Sequence, residues 1–350
     1  MSPRFPFTQR AYLTLLASSL LAGAAFADGL KGAPAPFDKG GVKVALVGYI
    51  SGGDFFRAFN NGAQRQAQAL NVDLRVFPGK EDAALQRDQI QQAINLGVKA
   101  IIIDHGQPES LKDVVQQALD AGIKVVAFDV NIDNPKVIQI EQSDKDLAES
   151  VLGQAIKDNG KTFKAGYVYV PGFAPLDRRD AVWSGVKKAN PGIVEKARWG
   201  TVAAPVATSV AAQANAALRA NPDITVVFAP WDEFARGTKL AATELGAGKK
   251  LKIYSADVST ADIAEIREAN SPWVATAATN PSVVGATTVR AAALAVAGQT
   301  PAARIAIKPV LITREELNQY DIKTVEELAA KSPSFGRSDA ALAAWIPLTR

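Results

Sequence analysis

Side chains that can bind hydroxyl groups follow most of the apolar runs in this sequence. Asp129 and Asp257 each end or directly follow such a run, and Arg178 and Arg179 lie in a segment that follows another. Carboxylates, amides and guanidinium groups form directed hydrogen bonds to hydroxyls, while aromatic rings pack against apolar C–H surfaces. The candidate ligand-binding residues are Phe55, Phe56, Asp129, Asn131, Arg178, Arg179, Trp231, Asp257, Thr279 and Asn280. This mixture is typical of a site for a polyhydroxylated small molecule.

A structural role competes for some of these acids, because Asp at a strand end is commonly a helix N-cap. For Asp257 the two roles stay open, and for Asp54 and Asp232 the cap is favoured. His105, the one histidine, follows a strand and could line the same cleft. A lone histidine is more often structural, so it receives no ligand role at this point.

Composition excludes several kinds of chemistry. The chain has 350 residues and no cysteine, which removes disulfides, thiolate catalysis and cysteine-based metal centres. One histidine rules out a histidine-rich metal site. We therefore expect no catalytic residues, no metal and no cofactor. The Gly246–Lys250 segment lacks the Ser or Thr of a phosphate-binding loop and precedes a strand, so we expect a solvated loop.

The charge balance also limits the partners. Lys and Arg number 39 against 35 Asp and Glu, which gives a net charge of +4. This excess is too small and too dispersed to indicate nucleic-acid binding.

The elements that position the candidate residues alternate between strand and helix. Short runs rich in β-branched residues predict strands at 42–47, 72–77, 100–104, 124–129, 164–170, 225–229, 251–256 and 273–278. Helical periodicity lies between them, for example over 84–96 and 232–245. Continuous hydrophobicity indicates parallel strands that are covered on both faces, so the fold class is α/β with doubly wound sheets.

Periodicity alone leaves a barrel of eight βα units as an alternative to two open sheets. An additional strand-like run at 136–140, followed by a helix over 143–159, interrupts the regular alternation. Such a break favours a chain that crosses from one sheet to a second.

The N-terminus has the pattern of an export signal. Arg4 and Arg10 precede an apolar stretch over 11–21, and small residues end at Ala27. The stretch is shorter than the roughly 20 apolar residues that a membrane span needs. We predict a signal peptide at 1–27 with cleavage after Ala27, a periplasmic location, and an extended leader over 28–41.

Four segments together resemble one known family: VKVALVGYISGGDFFRAFNNGAQRQAQAL, INLGVKAIIID, VVAFDVN and VFAPWDEFARGTKLA. They resemble the periplasmic sugar-binding proteins of ABC importers, specifically the ribose-binding type, and the similarity extends over about 42–310. The resemblance implies two Rossmann-like lobes joined by three hinge crossovers, which is the type I periplasmic binding protein fold. It places sugar contacts at Phe55, Phe56, Asp129, one of Arg178 and Arg179, Asp257 and Thr279.

The chain departs from the ribose-binding pattern at three positions. Val130 replaces an arginine, Gly53 replaces an asparagine, and Trp231 stands where a small amide is usual. A site that loses polar partners discriminates strongly against the original ligand. We therefore expect a smaller, linear or less oxygenated ligand, such as a polyol, a deoxysugar or a furanose.

The resemblance also implies domain limits and partners. The first lobe is expected to comprise 42–142 and about 280–306, the second 143–279 and about 307–314, with a C-terminal tail over 315–350. The implied partners are a small carbohydrate and the transmembrane subunits of an ABC permease, with the protein a monomer. Two alternatives stay open, namely an exported carbohydrate-acting enzyme and a sugar sensor that acts on a chemoreceptor or sensor kinase. A transcription regulator with the same lobes is disfavoured, because an export signal stands where the DNA-binding helices would be.

Overall fold

The computed structural model describes residues 29–349, so the predicted signal peptide and its cleavage site lie outside the described residues. The strands are β1 (Val42–Gly48), β2 (Val72–Phe77), β3 (Ala100–Asp104), β4 (Lys124–Phe128), β5 (Val137–Gln142), β6 (Phe163–Val168), β7 (Ile193–Trp199), β8 (Val226–Ala229), β9 (Lys252–Ala256), β10 (Trp273–Ala278), β11 (Arg304–Ile307) and β12 (Val310–Thr313). The helices are α1 (Asp54–Ala69), α2 (Ala83–Asn95), α3 (Pro108–Asp120), α4 (Asp144–Asn159), α5 (Ala174–Ala189), α6 (Val206–Ala220), α7 (Asp232–Glu244), α8 (Thr260–Arg267), α9 (Pro281–Val296), α10 (Arg314–Gln319), α11 (Val325–Lys331) and α12 (Pro333–Gly336).

These strands form two separate six-stranded sheets, each at the centre of one lobe. The sheet of the first lobe has the order β11-β5-β4-β3-β1-β2, and that of the second has the order β12-β10-β9-β8-β6-β7. All neighbouring strands pair in parallel except β12, which is antiparallel to β10. The predicted fold class is confirmed, and the barrel alternative is wrong because the two sheets are distinct.

Burial explains why the parallel strands were predictable. Every residue of β3 is buried, as is every residue of β8, because helices cover both faces of each sheet. The eight predicted strands and the additional run at 136–140 all correspond to observed strands. The structure adds β7, β11 and β12, which lie at sheet edges and were not predicted.

The chain passes between the two sheets three times. It leaves the first lobe after β5, returns with α9 after β10, and crosses again between β11 and β12. Helix α9 packs along α1 of the first lobe, where Gly62 and Gly285 allow the two backbones to approach closely. These three crossings are the covalent connections between the lobes.

The segment before β1 differs from the extended leader expected from its sequence. Residues 31–39 form consecutive turns, in which the Phe37 amide donates to the Pro34 carbonyl at 2.9 Å. Phe37 is completely buried, and its ring lies 5.0 Å from that of Trp345. Proline and glycine favour turns here, and burial of one aromatic side chain holds the segment on the first lobe.

The C-terminal tail contacts both lobes. Arg267 of the second lobe donates to Asp321 Oδ1 at 2.7 Å and to the Ile322 carbonyl at 2.8 Å. Farther along the tail, Arg290 of the first lobe donates to the Ala340 carbonyl at 3.1 Å. The tail therefore bridges the lobes outside the three crossovers. Within residues 29–349, no helix has the length and apolar character needed to cross a membrane.

Candidate ligand-binding site

A cavity lies between the two lobes, at the carboxyl ends of their strands. Its lining residues come from both lobes and from the hinge: Ile50, Phe55, Phe56, His105, Gln142, Phe173, Pro175, Leu176, Arg179, Val202, Trp231 and Asp257.

One wall of the cavity is aromatic. Phe55 and Phe56 lie in the first turn of α1, and their rings meet edge to face at a centroid distance of 5.3 Å. The N-cap of this helix is Gly53, whose φ of 91° is accessible to glycine at little cost. Across the cavity, Trp231 occupies the N-cap position of α7, and its ring packs edge to face on that of Phe234 at a centroid distance of 5.1 Å. These rings offer flat apolar surfaces to a ligand from opposite lobes.

Arg179 lies at the polar end of the cavity, and its side chain is 2% exposed. Its Nε donates to Asp144 Oδ1 at 2.6 Å, and its Nη1 donates to the Pro230 carbonyl at 2.6 Å and lies 3.4 Å from Asp257 Oδ2. Two buried atoms of this group, Arg179 Nη2 and Asp257 Oδ1, have no hydrogen-bond partner within residues 29–349. Both are therefore available to a ligand.

Backbone conformation directs three side chains over the strand ends. His105, Asp129 and Asp257 have φ values of 60°, 50° and 70°, in the left-handed region that non-glycine residues seldom adopt. Each amide donates to a carbonyl of the neighbouring strand, at Phe128, Ile140 and Ala277, respectively. Such conformations tend to cluster at functional sites, where the surrounding hydrogen bonds hold them in place.

Burial controls the electrostatics of the two strand-end carboxyls. Burial raises the pKa of Asp129 and of Asp257 above the ordinary carboxyl value, and Asp144 adds to the rise in both. Arg178 opposes the rise at Asp129, and Arg179 opposes it at Asp257. The Oδ2 atom of Asp129 is buried without a hydrogen-bond partner among the described residues.

Arg178 and Arg179 have different positions, although the sequence left them as alternatives. Arg179 lines the cavity, whereas Arg178 of the second lobe bridges to the first lobe. Arg178 Nη2 lies 2.5 Å from Asp129 Oδ1, and its Nη1 donates to Asn131 Oδ1 at 3.1 Å. Asp129, Asn131 and Arg178 thus form an interlobe contact beside the cavity lining.

Thr279 and Asn280 also lie outside the cavity lining. Thr279 Oγ1 donates to Gln142 Oε1 at 2.7 Å, which ties two of the crossovers together. Asn280 is the N-cap of α9, and its Oδ1 accepts from the Ser282 amide at 3.0 Å. Of the ten candidates, the cavity brings together Phe55, Phe56, Arg179, Trp231 and Asp257.

A second interlobe contact lies at the start of α1. Arg236 of the second lobe donates to Asp54 Oδ2 of the first lobe at 2.9 Å, and its Nε donates to Asp262 Oδ1 within the second lobe at 2.6 Å. Asp54 was expected to be a helix cap, but it occupies the first turn of α1 after Gly53. Its negative charge there suits both the helix dipole and Arg236.

Sequence reasoning assigned no role to several lining residues. Phe173 and Leu176 belong to the loop and first turn of α5, within the 171–179 segment that was identified only for its arginines. Gln142 ends β5 at the first crossover, and its side chain reaches the cavity. An aromatic residue directly after a Pro-Gly turn was the available signal for Phe173.

Comparison with known proteins supports the same fold. Residues 44–300 match the family of the periplasmic binding protein domain. The chain is similar to the solute-binding protein of a 5-methylthioribose transporter from Thermotoga lettingae TMO, solved in complex with 5-methylthioribose. The identity is 38% and the TM-score 0.85, over 87% of this chain and 97% of that chain. No curated protein matches the chain.

Two further solved structures are also similar. A sugar ABC transporter protein from Yersinia enterocolitica subsp. enterocolitica is 29% identical, with a TM-score of 0.84, and the match covers 88% of this chain and 93% of that chain. An ABC transporter solute-binding protein from Agrobacterium vitis with bound allitol is 19% identical, with a TM-score of 0.74 over 80% of this chain and 97% of that chain, and shows the fold alone. Because the family match spans most of the chain and the 38% identical structure covers 87% of it, this protein belongs to the periplasmic binding protein family, as its sequence motifs had indicated.

Proposed function

We propose that this protein is the solute-binding component of an ABC importer and that its ligand is a pentose with an apolar substituent, of the 5-methylthioribose class. The observation that carries the proposal is the division of the cavity into an apolar wall and a charged end. A ligand that is polar at one end and apolar at the other matches this division.

The apolar wall suits a thioether or alkyl group better than a hydroxyl. Phe55, Phe56 and Trp231 enclose it with Phe173 and Leu176. Thioether sulfur makes favourable contacts with aromatic rings, and each buried methylene contributes about 0.8 kcal/mol. A hydroxyl in the same place would lose its hydration without gaining a partner.

The charged end suits the remaining hydroxyls of a pentose. Arg179 Nη2 offers a donor and Asp257 Oδ1 offers an acceptor, and both atoms are buried and without partners among the described residues. Leaving a buried polar atom unpaired costs about 1–3 kcal/mol, and more when it is charged. A ligand that presents neighbouring hydroxyls would recover this free energy.

The relatives support the same ligand class. The Thermotoga lettingae protein, 38% identical over nearly its full length, binds 5-methylthioribose. The departures from the ribose-binding pattern at Gly53, Val130 and Trp231 also favour a less oxygenated sugar.

Ligand binding would then be coupled to closure of the lobes. A ligand shifts the equilibrium between open and closed states only by its difference in affinity for them, and contacts from both lobes provide that difference. The closed lobes would present a joint surface to the transmembrane subunits of the permease. In this proposal the protein is exported to the periplasm, is cleaved after Ala27 and acts as a monomer without nucleic acid or cofactor.

A thermal-shift panel on residues 28–350 tests the ligand class. The panel contains 5-methylthioribose, 5-deoxyribose, D-ribose and ribitol. A ligand at 100 times its Kd adds about 2.7 kcal/mol to stability, so binding gives a clear rise in Tm. We expect the largest rise with 5-methylthioribose and a smaller one with 5-deoxyribose. A larger rise with D-ribose than with either 5-substituted sugar would contradict the proposed ligand class.

A further inference from the structure

The ring of His105 is held in one orientation at the cavity. Its Nδ1 lies 2.7 Å from Asp104 Oδ1, and the Asp104 side chain is 2% exposed. The ring meets Phe56 and Phe128 edge to face, each at a centroid distance of 5.3 Å. These contacts fix the ring on three sides.

The backbone of His105 is fixed as well. Its amide donates to the Phe128 carbonyl at 2.8 Å, and its carbonyl accepts from Gln86 Nε2 at 3.0 Å. The residue also adopts the left-handed φ of 60°. These contacts hold the ring within a narrow range of positions.

One hydrogen-bonding atom of the ring is left over. Within residues 29–349, Nε2 has no hydrogen-bond partner, and the residue lines the cavity together with Arg179 and Asp257. The side chain is 10% exposed, and a polar atom without a partner on so buried a side chain beside a cavity calls for an explanation.

We infer that His105 binds the ligand directly through Nε2, which accepts from or donates to a hydroxyl of the sugar, and that Asp104 is a positioning residue for this ring. The inference rests on the proposed function and adds a recognition contact to the site. A hydroxyl is the group that suits this atom in both charge states of the ring, because it can donate to neutral imidazole and accept from imidazolium. Asp104 keeps the Nδ1 proton in place in either state.

The protein offers an unusually direct test, because His105 is its one histidine. Residues 28–350 are produced with ¹⁵N-labelled histidine and without a polyhistidine tag, so that the two ring nitrogens give the spectrum of a single residue. On saturation with 5-methylthioribose we expect the Nε2 resonance to shift, while Nδ1 stays protonated. Asp104→Asn should produce a mixture of ring tautomers in the free protein.

A matched pair of variants measures the contribution to affinity. The amide of His105→Asn can occupy the place of Nδ1 but has no atom at Nε2, whereas the amide of His105→Gln can extend toward Nε2. Asparagine also tolerates the left-handed backbone. We expect the Kd for 5-methylthioribose to rise about tenfold or more in His105→Asn and to recover in part in His105→Gln. Thermal unfolding of each variant without ligand verifies that it is folded.

The outcomes separate this inference from the proposed function. If wild type binds 5-methylthioribose, but a folded His105→Asn keeps the same Kd and Nε2 does not shift, His105 is structural and the inference is overturned. If wild type binds none of the pentoses tested, the proposed ligand class fails and this contact fails with it. A shift of the Nε2 resonance together with a higher Kd of His105→Asn supports both the inference and the proposed function.

Discussion

At the polar end of the cavity, Arg179 neutralises two buried carboxyls, Asp144 and Asp257. Removing one partner of a buried ion pair leaves an uncompensated charge, which typically costs 3–5 kcal/mol. We therefore expect Arg179→Met to lower the free energy of unfolding by about 3–5 kcal/mol and to abolish sugar binding. Urea denaturation measures the first effect. Lys145→Gln, which removes an exposed ion pair with Glu149 in α4 of the second lobe, is the control and should unfold like wild type. An Arg179→Met variant as stable as wild type would contradict this description of the site.

His105 contributes to the pH dependence of the site. Burial alone would lower the pKa of His105, but the hydrogen bond to Asp104 and the charges of Asp104, Asp129 and Asp257 outweigh burial and raise it above 6.5. A raised histidine pKa contributes stability that is fully present below about pH 6.5 and is lost as the pH rises through the folded-state pKa. We expect an NMR titration of free wild type to give a pKa above 6.5, and Asp104→Asn to lower it. A wild-type value below 6.5 would refute this electrostatic description.

The residue types at the site were more predictable than their positions. Phe55, Phe56, Arg179, Trp231 and Asp257 follow strands, and strand ends meet at one edge of a parallel sheet. Which of two adjacent arginines enters the cavity depends on the rotation of α5 against its sheet, and the sequence does not specify that rotation to within one residue. From the sequence, His105 received no ligand role, because that role depends on the unpartnered Nε2 atom and on ring contacts with Phe56 and Phe128. These contacts arise only when the chain folds, so the sequence does not reveal them.

At the scale of elements, α1 and α7 face each other across the cleft and are linked by the ion pair of Asp54 with Arg236. The side chains are 19% and 21% exposed, so the pair is partly screened and contributes modestly. We predict that Asp54→Asn accelerates ligand dissociation by up to about fivefold, because it weakens the closed state selectively. Stopped-flow tryptophan fluorescence can follow the release, since Trp231 lines the cavity.

Arg57 supplies the control for this prediction. It pairs with Asp54 inside α1 and is 68% exposed, so Arg57→Gln changes the same carboxylate without removing the contact between lobes. Its dissociation rate should match wild type. Equal acceleration in both variants would mean that the effect comes from α1 itself and not from the interlobe contact.

The three strands that the sequence did not predict, β7, β11 and β12, all lie at sheet edges. In strand β7, exposed residues alternate with buried or half-buried ones, and the strand contains the charged residues Glu195, Lys196 and Arg198. One face of β7 is open to solvent because it is the last strand of its sheet, so its sequence lacks the continuous apolar run of the inner strands. Strands β11 and β12 have four residues each. They flank the last crossover, and each pairs at the edge of one sheet.

At the scale of the whole molecule, the C-terminal tail connects lobes that otherwise meet at the hinge and the cleft. Residues 337–349 cover the first lobe, where Arg290 donates to Ala340 and Gln66 Nε2 donates to the Pro347 carbonyl at 2.7 Å. Deleting residues 337–350 would leave Arg290 with buried, unpaired donors and would uncover Phe37. We expect the free energy of unfolding to fall by about 2–4 kcal/mol in calorimetry.

Leu342→Ala is the control for the tail, because that side chain is 39% exposed and its loss removes no hydrogen bond to the first lobe. It should unfold like wild type. Small-angle scattering of the ligand-free deletion variant should also show a larger radius of gyration, since the bridge between lobes is lost. An unchanged unfolding curve and radius would mean that the tail lies on the surface without restraining the lobes.

The central claim is that one end of the ligand is apolar. Isothermal titration calorimetry tests it most directly, with residues 28–350 titrated separately with 5-methylthioribose and with D-ribose. The two sugars differ where a methylthio group replaces a hydroxyl, and burying that group among Phe55, Phe56 and Trp231 should contribute about 1.5–2.5 kcal/mol. The predicted result is micromolar or tighter binding of 5-methylthioribose, with D-ribose weaker by about tenfold or more. Equal affinity for both sugars, or tighter binding of D-ribose, would contradict it.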